Sequence, residues 1–142
     1  MNRTLSFFTK GDPIPEGSHK YVGYRNGKPT IVHDNLRLAG WRMIVARDAK
    51  NAADAAGWAP KHDGPVTVEA RFYMPRPKRP RFPNHAATKP DLDKLIRAIG
   101  DALADYNGVL AEDSRIVTWT TSKEYATDDQ KPGVHITVTA LD

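Results

Sequence analysis

Two aspartates separated by one residue, in Lys89-Pro90-Asp91-Leu92-Asp93-Lys94, are the first candidates for chemistry. Leu92 between them belongs to an apolar stripe, so burying it pins the segment and holds both carboxylates in place. Preorganised oxygen ligands suit a hard divalent cation such as Mg²⁺, which keeps several of its waters. The same residues have a plain structural use, because aspartates cap helices and favour the positive end of the helix dipole. A second acidic pair, Glu112-Asp113, lies just before a strand that begins near Ser114. Acidic residues there are also common turn formers. The pair gains chemical meaning if the fold brings it beside Asp91 and Asp93, since three converging carboxylates repel unless a cation sits among them. A third pattern is Asp93, Arg97 and Asp101, each four residues after the last. It reads either as an ion-pair ladder worth about 0.2–0.5 kcal/mol per pair, or as an arginine one turn from an acidic site. In the second role Arg97 would neutralise a phosphate and stabilise charge in phosphoryl transfer.

Charge elsewhere is concentrated in one segment. Between Met74 and Pro90 lie Arg76, Lys78, Arg79, Arg81 and Lys89, with no acidic residue. Without these five, the chain's 21 basic residues fall to 16 against 17 acidic, so the net charge of +4 is a local feature. A local basic segment suits a polyanion such as nucleic acid. A solvated loop kept soluble by its charge is the alternative. Pro75, Pro77, Pro80 and Pro83 forbid a regular helix or a central strand there, which predicts an exposed loop.

The elements that must position these residues follow from periodicity. Val66, Val68, Ala70, Phe72 and Met74 alternate with Thr67, Glu69, Arg71 and Tyr73, predicting a strand over 66–74 with one buried face. Leu92, Leu95, Ile96, Ile99 and Leu103 share one helical face, predicting a helix over 92–103. Leu38, Trp41, Ile44, Val45 and Ala49 predict an earlier helix over 36–56, capped by Asp34-Asn35 and ended by Gly57 and Pro60. Leu5–Thr9 reads as a first strand. Tyr21–Arg25 and Pro29–His33 flank Asn26-Gly27, a hairpin signal. Asn107-Gly108 marks a turn, Val109-Leu110 a short apolar element, and 116–124 and 134–141 two closing strands. The order predicts one α+β (mixed α/β) domain over residues 1–142, with two main helices on a small mixed sheet.

Several classes are excluded. No cysteine means no disulfide scaffold, Cys-based zinc site or thiol nucleophile. His19, His33, His62, His85 and His135 are scattered without metal-ligand spacing. No Gly-x-Ser-x-Gly, phosphate-binding loop or dinucleotide fingerprint is present, so no nucleotide cofactor is expected. No apolar run is long enough to span a membrane, and the apolar stretch before Lys10 is too short for a secretory signal. A cytoplasmic protein is the expectation.

From Lys89 to Leu103, through Asn107-Gly108-Val109-Leu110, to Glu112-Asp113-Ser114-Arg115-Ile116-Val117, the chain resembles the RusA family of Holliday junction resolvases, often found in phages and prophages. The shared features are an Asp-Leu-Asp opening, a helix carrying Asp-Ala-Leu, an Asn-Gly turn and an acidic pair before a strand. Gly11-Asp12-Pro13-Ile14-Pro15, the alternating strand and the last strand fit more loosely. The resemblance implies a homodimeric endonuclease, dependent on Mg²⁺ with Mn²⁺ as a substitute, that acts on four-way DNA junctions. It implies Asp91, Asp93 and Asp113 as metal-binding catalytic residues, with Glu112 as an acidic neighbour. Arg97 stands where the family's best-studied type has a catalytic lysine. Arginine stays charged, so a role through positive charge carries over and a role in proton donation does not. The basic residues Arg76, Lys78, Arg79, Arg81 and Lys89 would bind DNA backbone. A catalytically silent branched-DNA-binding protein, its aspartates serving as caps, is the alternative.

Overall fold

The computed structural model describes residues 2–17, 24–25, 28–29 and 31–142, with side chains described up to Gly17 and from Leu36 onward. Four strands build the main sheet: β1 (Thr4–Lys10), β4 (Val66–Met74), β5 (Ile116–Tyr125) and β6 (Gly133–Ala140). Their order is β1-β6-β4-β5. β6 runs antiparallel to both β1 and β4, whereas β4 and β5 are parallel. A short hairpin, β2 (Tyr24–Arg25) with β3 (Lys28–Pro29), stands apart from this sheet. The helices are α1 (Ile31–Ala55) and α2 (Leu92–Leu103). This is the α+β domain that the alternating apolar patterns predict.

Parallel neighbours cannot be joined by a tight turn and need a crossover. The β4–β5 crossover contains the proline-rich basic segment, the Asp-Leu-Asp motif, α2 and the Glu112-Asp113 pair. The candidate chemistry therefore sits in a single connection, braced by two adjacent strands.

The core forms where the helices cover one sheet face. From the sheet come Val66, Val68, Ala70, Phe72, Val134, Ile136 and Val138, all at most 1% exposed. Trp41, Val45 and Ala49 of α1 and Leu95, Ile99 and Leu103 of α2 close over them. Truncating a side chain as buried as Phe72 costs about 3–5 kcal/mol. On the other face lie hydroxyl pairs, Thr4 with Thr139 at 3.3 Å and Ser6 with Thr137 at 2.9 Å.

Two local features set how α1 and α2 end. At the end of α1, Gly57 adopts φ 75°, Trp58 N–H donates to the Ala53 carbonyl and Gly57 N–H to that of Asp54. That double closure satisfies orphan carbonyls and turns the chain back with Trp58 buried. After α2, a Cβ at Gly108 would run into the Leu103 carbonyl, so only glycine permits this close return. Leu110 then bridges to His62 in the short apolar element.

Three expectations need correcting. Pro29–His33 is not a strand: β3 ends at Pro29 and α1 already begins at Ile31. Asp34-Asn35 consequently lies inside α1 and does not cap it. The β-branched Ile31 and Val32 suggested a strand, but their helix penalty is a few tenths of a kcal/mol, which extending a formed helix readily offsets. Of the first hairpin strand, Tyr21–Gly23 lies outside the described residues, as does Asn26-Gly27. Finally, the strand expected to begin near Ser114 starts at Ile116, because a 3₁₀ turn over Asp113–Arg115 precedes β5. Among the described residues no helix is long and apolar enough to cross a membrane.

Candidate active site

Asp91 occupies the N-cap position of α2 with extended dihedrals (φ −68°, ψ 141°), yet its side chain makes no capping hydrogen bond. Its carbonyl accepts from Leu95 N–H at 3.2 Å, so the backbone starts the helix without help from the carboxylate. That carboxylate is exposed, 3.9 Å from the Lys94 ammonium. Asp93 lies in the first turn of α2, where the helix dipole favours a negative charge. No ion pair joins Asp93 to Arg97 or Arg97 to Asp101 among the described residues, so the i,i+4 ladder is not formed.

What forms instead is a shared cavity. Asp93, Ile96, Arg97 and Gly100 of α2, Asp113 of the 3₁₀ turn, and Ile116 and Trp119 of β5 line a cavity of ≈ 210 Å³. Two carboxylates twenty positions apart in the chain thus meet, with a guanidinium beside them. Asp91 is not among the lining residues. Glu112 is tied elsewhere: it accepts from the Ser114 hydroxyl and lies 3.6 Å from Arg115. Arg115 in turn donates to Asp63 at 2.8 Å, and that bond with the Asp63 charge raises its pKa further above neutrality. Glu112 therefore anchors the 3₁₀ turn, while its neighbour Asp113 faces the cavity.

Mg²⁺ is typically held by one or two carboxylates, with waters and phosphate oxygens completing the shell. Asp93 and Asp113 fit that requirement. Among the described residues no group of three or more His, Cys, Asp or Glu side chains is placed to hold a metal ion.

The basic segment is exposed at Arg76, Lys78, Arg79, Arg81 and Lys89. It is nevertheless tethered. Arg76 donates to the Pro83 carbonyl at 3.1 Å and sits 5.6 Å from the centroid of the Tyr125 ring. Arg81 lies 5.2 Å from the Phe82 ring centroid, and Ala86 is buried in the core.

Gly100, Trp119, Lys123 and Glu16 were missed by sequence reasoning. A Cβ at Gly100 would meet the Trp119 ring at 3.5 Å, an ordinary contact, so α2 packs closely on β5 here. Glu16 comes from a stretch that reads as a turn. Its N–H donates to the Lys94 carbonyl at 3.0 Å and its carboxylate lies 3.6 Å from Arg42. Burial, then a hydrogen bond and charge from Asp101, push the Glu16 carboxyl up to about 7, with Arg42 and Arg97 opposing. No local pattern signals this packing; the one hint is an acidic residue among prolines and glycines.

The family model of endodeoxyribonuclease RusA matches residues 10–139. The chain belongs to the RusA family. No curated protein matches it. The RusA match spans the whole β4–β5 crossover and both acidic pairs. It makes the chain a member of a family of Holliday junction nucleases, the class that the Asp-Leu-Asp helix and the acidic pair had suggested.

Proposed function

We propose that the protein is a Mg²⁺-dependent, structure-selective endodeoxyribonuclease that resolves four-way DNA junctions by paired phosphodiester hydrolysis. The observation that carries this reading is the meeting of Asp93, Arg97 and Asp113 around one cavity inside a RusA-family fold. Asp93 and Asp113 would hold the cation, and Asp91, one residue upstream of α2, would add a third carboxylate from the adjacent backbone. Mn²⁺ would substitute. When bound, the cation supplies Lewis-acid polarisation of a phosphoryl oxygen and acidifies water.

The chain's own residues do the rest. Arg97 offsets negative charge on the phosphate and, being permanently protonated, moves no proton. Ile96, Ile116 and Trp119 give the cavity an apolar wall beside that charge. Arg76, Lys78, Arg79, Arg81 and Lys89 bind backbone phosphates, giving affinity with little sequence choice. Two copies in a two-fold dimer would place two such sites on opposing strands, as paired cuts require. The cytoplasm of a bacterium, or of a phage-infected host, is where such an activity would act.

The test is cleavage of a synthetic four-way junction, a fork and a linear duplex, each with and without Mg²⁺. Metal-dependent, junction-selective cutting is expected. Tight junction binding with no cutting under any metal would leave a catalytically silent branched-DNA-binding protein. The unused cap geometry of Asp91 favours the enzyme, because a capping role would engage that side chain.

A further inference from the structure

β5 presents two faces. Thr118, Thr120, Ser122 and Glu124 are exposed, while Trp119, Thr121, Lys123 and Tyr125 are partly covered. A lysine on the covered face demands explanation, because a half-buried ammonium must find acceptors. Lys123 finds two. Its Nζ donates to the Thr88 carbonyl at 2.6 Å and to the Pro90 carbonyl at 2.7 Å. These carbonyls bracket Lys89, the last basic residue of the segment, and the second belongs to the residue before Asp91. Hydrogen bonds from an ionised donor are shorter and about twice as strong as neutral ones. Trp119, four positions earlier on the same face, lines the Asp93–Asp113 cavity. One strand therefore supplies both a wall of the cavity and a tie to the segment that leads into α2.

We infer that Lys123 is a positioning residue: its ammonium clamps the Thr88–Pro90 backbone to β5 and fixes where Asp91 presents its carboxylate. The clamp rests on the reading of Asp91 as a cation ligand for its catalytic consequence, though not for its structural one. Asp91 makes no capping bond, and its only ion-pair partner among the described residues is Lys94 at 3.9 Å. Its position is accordingly set by its backbone, and Lys123 holds the carbonyl immediately upstream. A competing use is physical as well. β5 is an edge strand, and an inward-pointing charge is one device that discourages edge-to-edge association.

The experiment compares the full chain with Lys123→Met, which keeps the stem and removes the donors, with Lys123→Gln, whose shorter, neutral side chain removes the ammonium, and with Lys123→Arg, which retains charged donors. Three quantities are read: hydrogen exchange of the amides of Thr88, Lys89 and Asp91; Mn²⁺ binding by calorimetry; and the Mg²⁺ midpoint of single-turnover junction cleavage at saturating enzyme. In Lys123→Met, exchange should accelerate and both metal midpoints should rise about tenfold, the usual scale for losing a group that orients a ligand. The maximal rate should recover in part at high Mg²⁺, junction affinity without metal should hold, and Lys123→Arg should restore part of the metal midpoint. Unchanged exchange and midpoints overturn the clamp. So does a loss of junction affinity with a shallower salt slope, which would make Lys123 a phosphate contact. Self-association with unchanged midpoints would leave an edge guard and overturn it too. If Lys123→Met fails to fold, Lys123→Gln decides by the same readings. Asp91→Asn run alongside separates the two ideas: normal cutting there removes Asp91 from the cation site, while faster exchange in Lys123→Met would still establish the clamp.

Discussion

Two carboxylate pairs flank Arg97, and they differ in what surrounds them. Asp93 and Asp113 are exposed and open onto a cavity. Glu16 and Asp101 are packed between the N-terminal segment and α2, with a Glu16 oxygen buried and lacking a partner. Proximity alone therefore does not make a cation site. In the covered pair, burial and the neighbouring Asp101 carboxylate disfavour the charged form of Glu16. In the open pair water, phosphate and metal can all reach the oxygens. A carboxylate becomes a ligand candidate on one side of Arg97 and a covered group held towards its neutral form on the other.

The largest effect should come from neutralising the open pair. Asp93→Asn and Asp113→Asn should each abolish Mg²⁺-dependent junction cleavage while leaving the fold and metal-free junction binding intact, because the amide keeps the shape and weakens the cation's hold. Asp91→Asn should do the same. Asp101→Asn, in the covered pair, should leave cutting largely in place. Full single-turnover activity in Asp93→Asn or Asp113→Asn would dissolve the distinction between the pairs.

Arg97, which faces both pairs, comes next. Arg97→Ala should lower the single-turnover rate by about 10²–10³, the scale of losing one group that stabilises transition-state charge. Arg97→Lys should keep a substantial part of the rate. Near-normal cutting by the alanine variant would confine Arg97 to its electrostatic effect on Glu16.

A smaller effect on chemistry, though a clear one on affinity, is expected from the basic segment. Replacing Arg76, Lys78, Arg79 and Arg81 together by glutamine should flatten the salt dependence of junction binding by up to about 0.9 log unit per lost phosphate contact. The saturated single-turnover rate should fall much less. An unchanged slope in a salt titration would route the DNA elsewhere, for example over Arg42 and Lys50 of α1.

The smallest effect is the one that reports on the covered pair. Glu16 keeps a proton in the folded chain up to about 7, whereas its unfolded value is near 4.5. The folded state thus binds more protons between those values. Its stabilising contribution is full below about 4.5 and is lost as pH rises through about 7. Glu16→Gln should remove that loss, so its melting temperature relative to the parent should rise between pH 5 and pH 8, by on the order of a few degrees. Thermal unfolding of both proteins across that range is the measurement. A relative fall would show that Glu16 is held as an anion by Arg42 and Arg97.

The sheet and helices were legible because their periods are local. Val66–Met74 and Leu92–Leu103 fall where the period-2 and period-3.6 patterns put them, since burial of one face selects one period. Ile31–Asn35 misled because five residues are too short a window for tertiary packing to be read from β-propensity. The acidic residues were legible for a different reason: Asp91, Asp93 and Asp113 fall within short motifs, and the family match covers all of them.

By itself, then, the sequence determined the strand and helix faces, the local basic segment and the identity of the acidic residues, all of which depend on neighbours within a few positions. The tertiary structure decided that β5 lies parallel beside β4, which brings Asp113 to the same cavity as Asp93 and Arg97. It also decided that Glu16 is covered, with its carboxyl pKa raised, and that Lys123 reaches the carbonyls beside Asp91. Those relations join residues tens of positions apart. No periodicity encodes them; they arise when a crossover closes and the desolvation and hydrogen bonding of each polar group are settled by whatever packs against it.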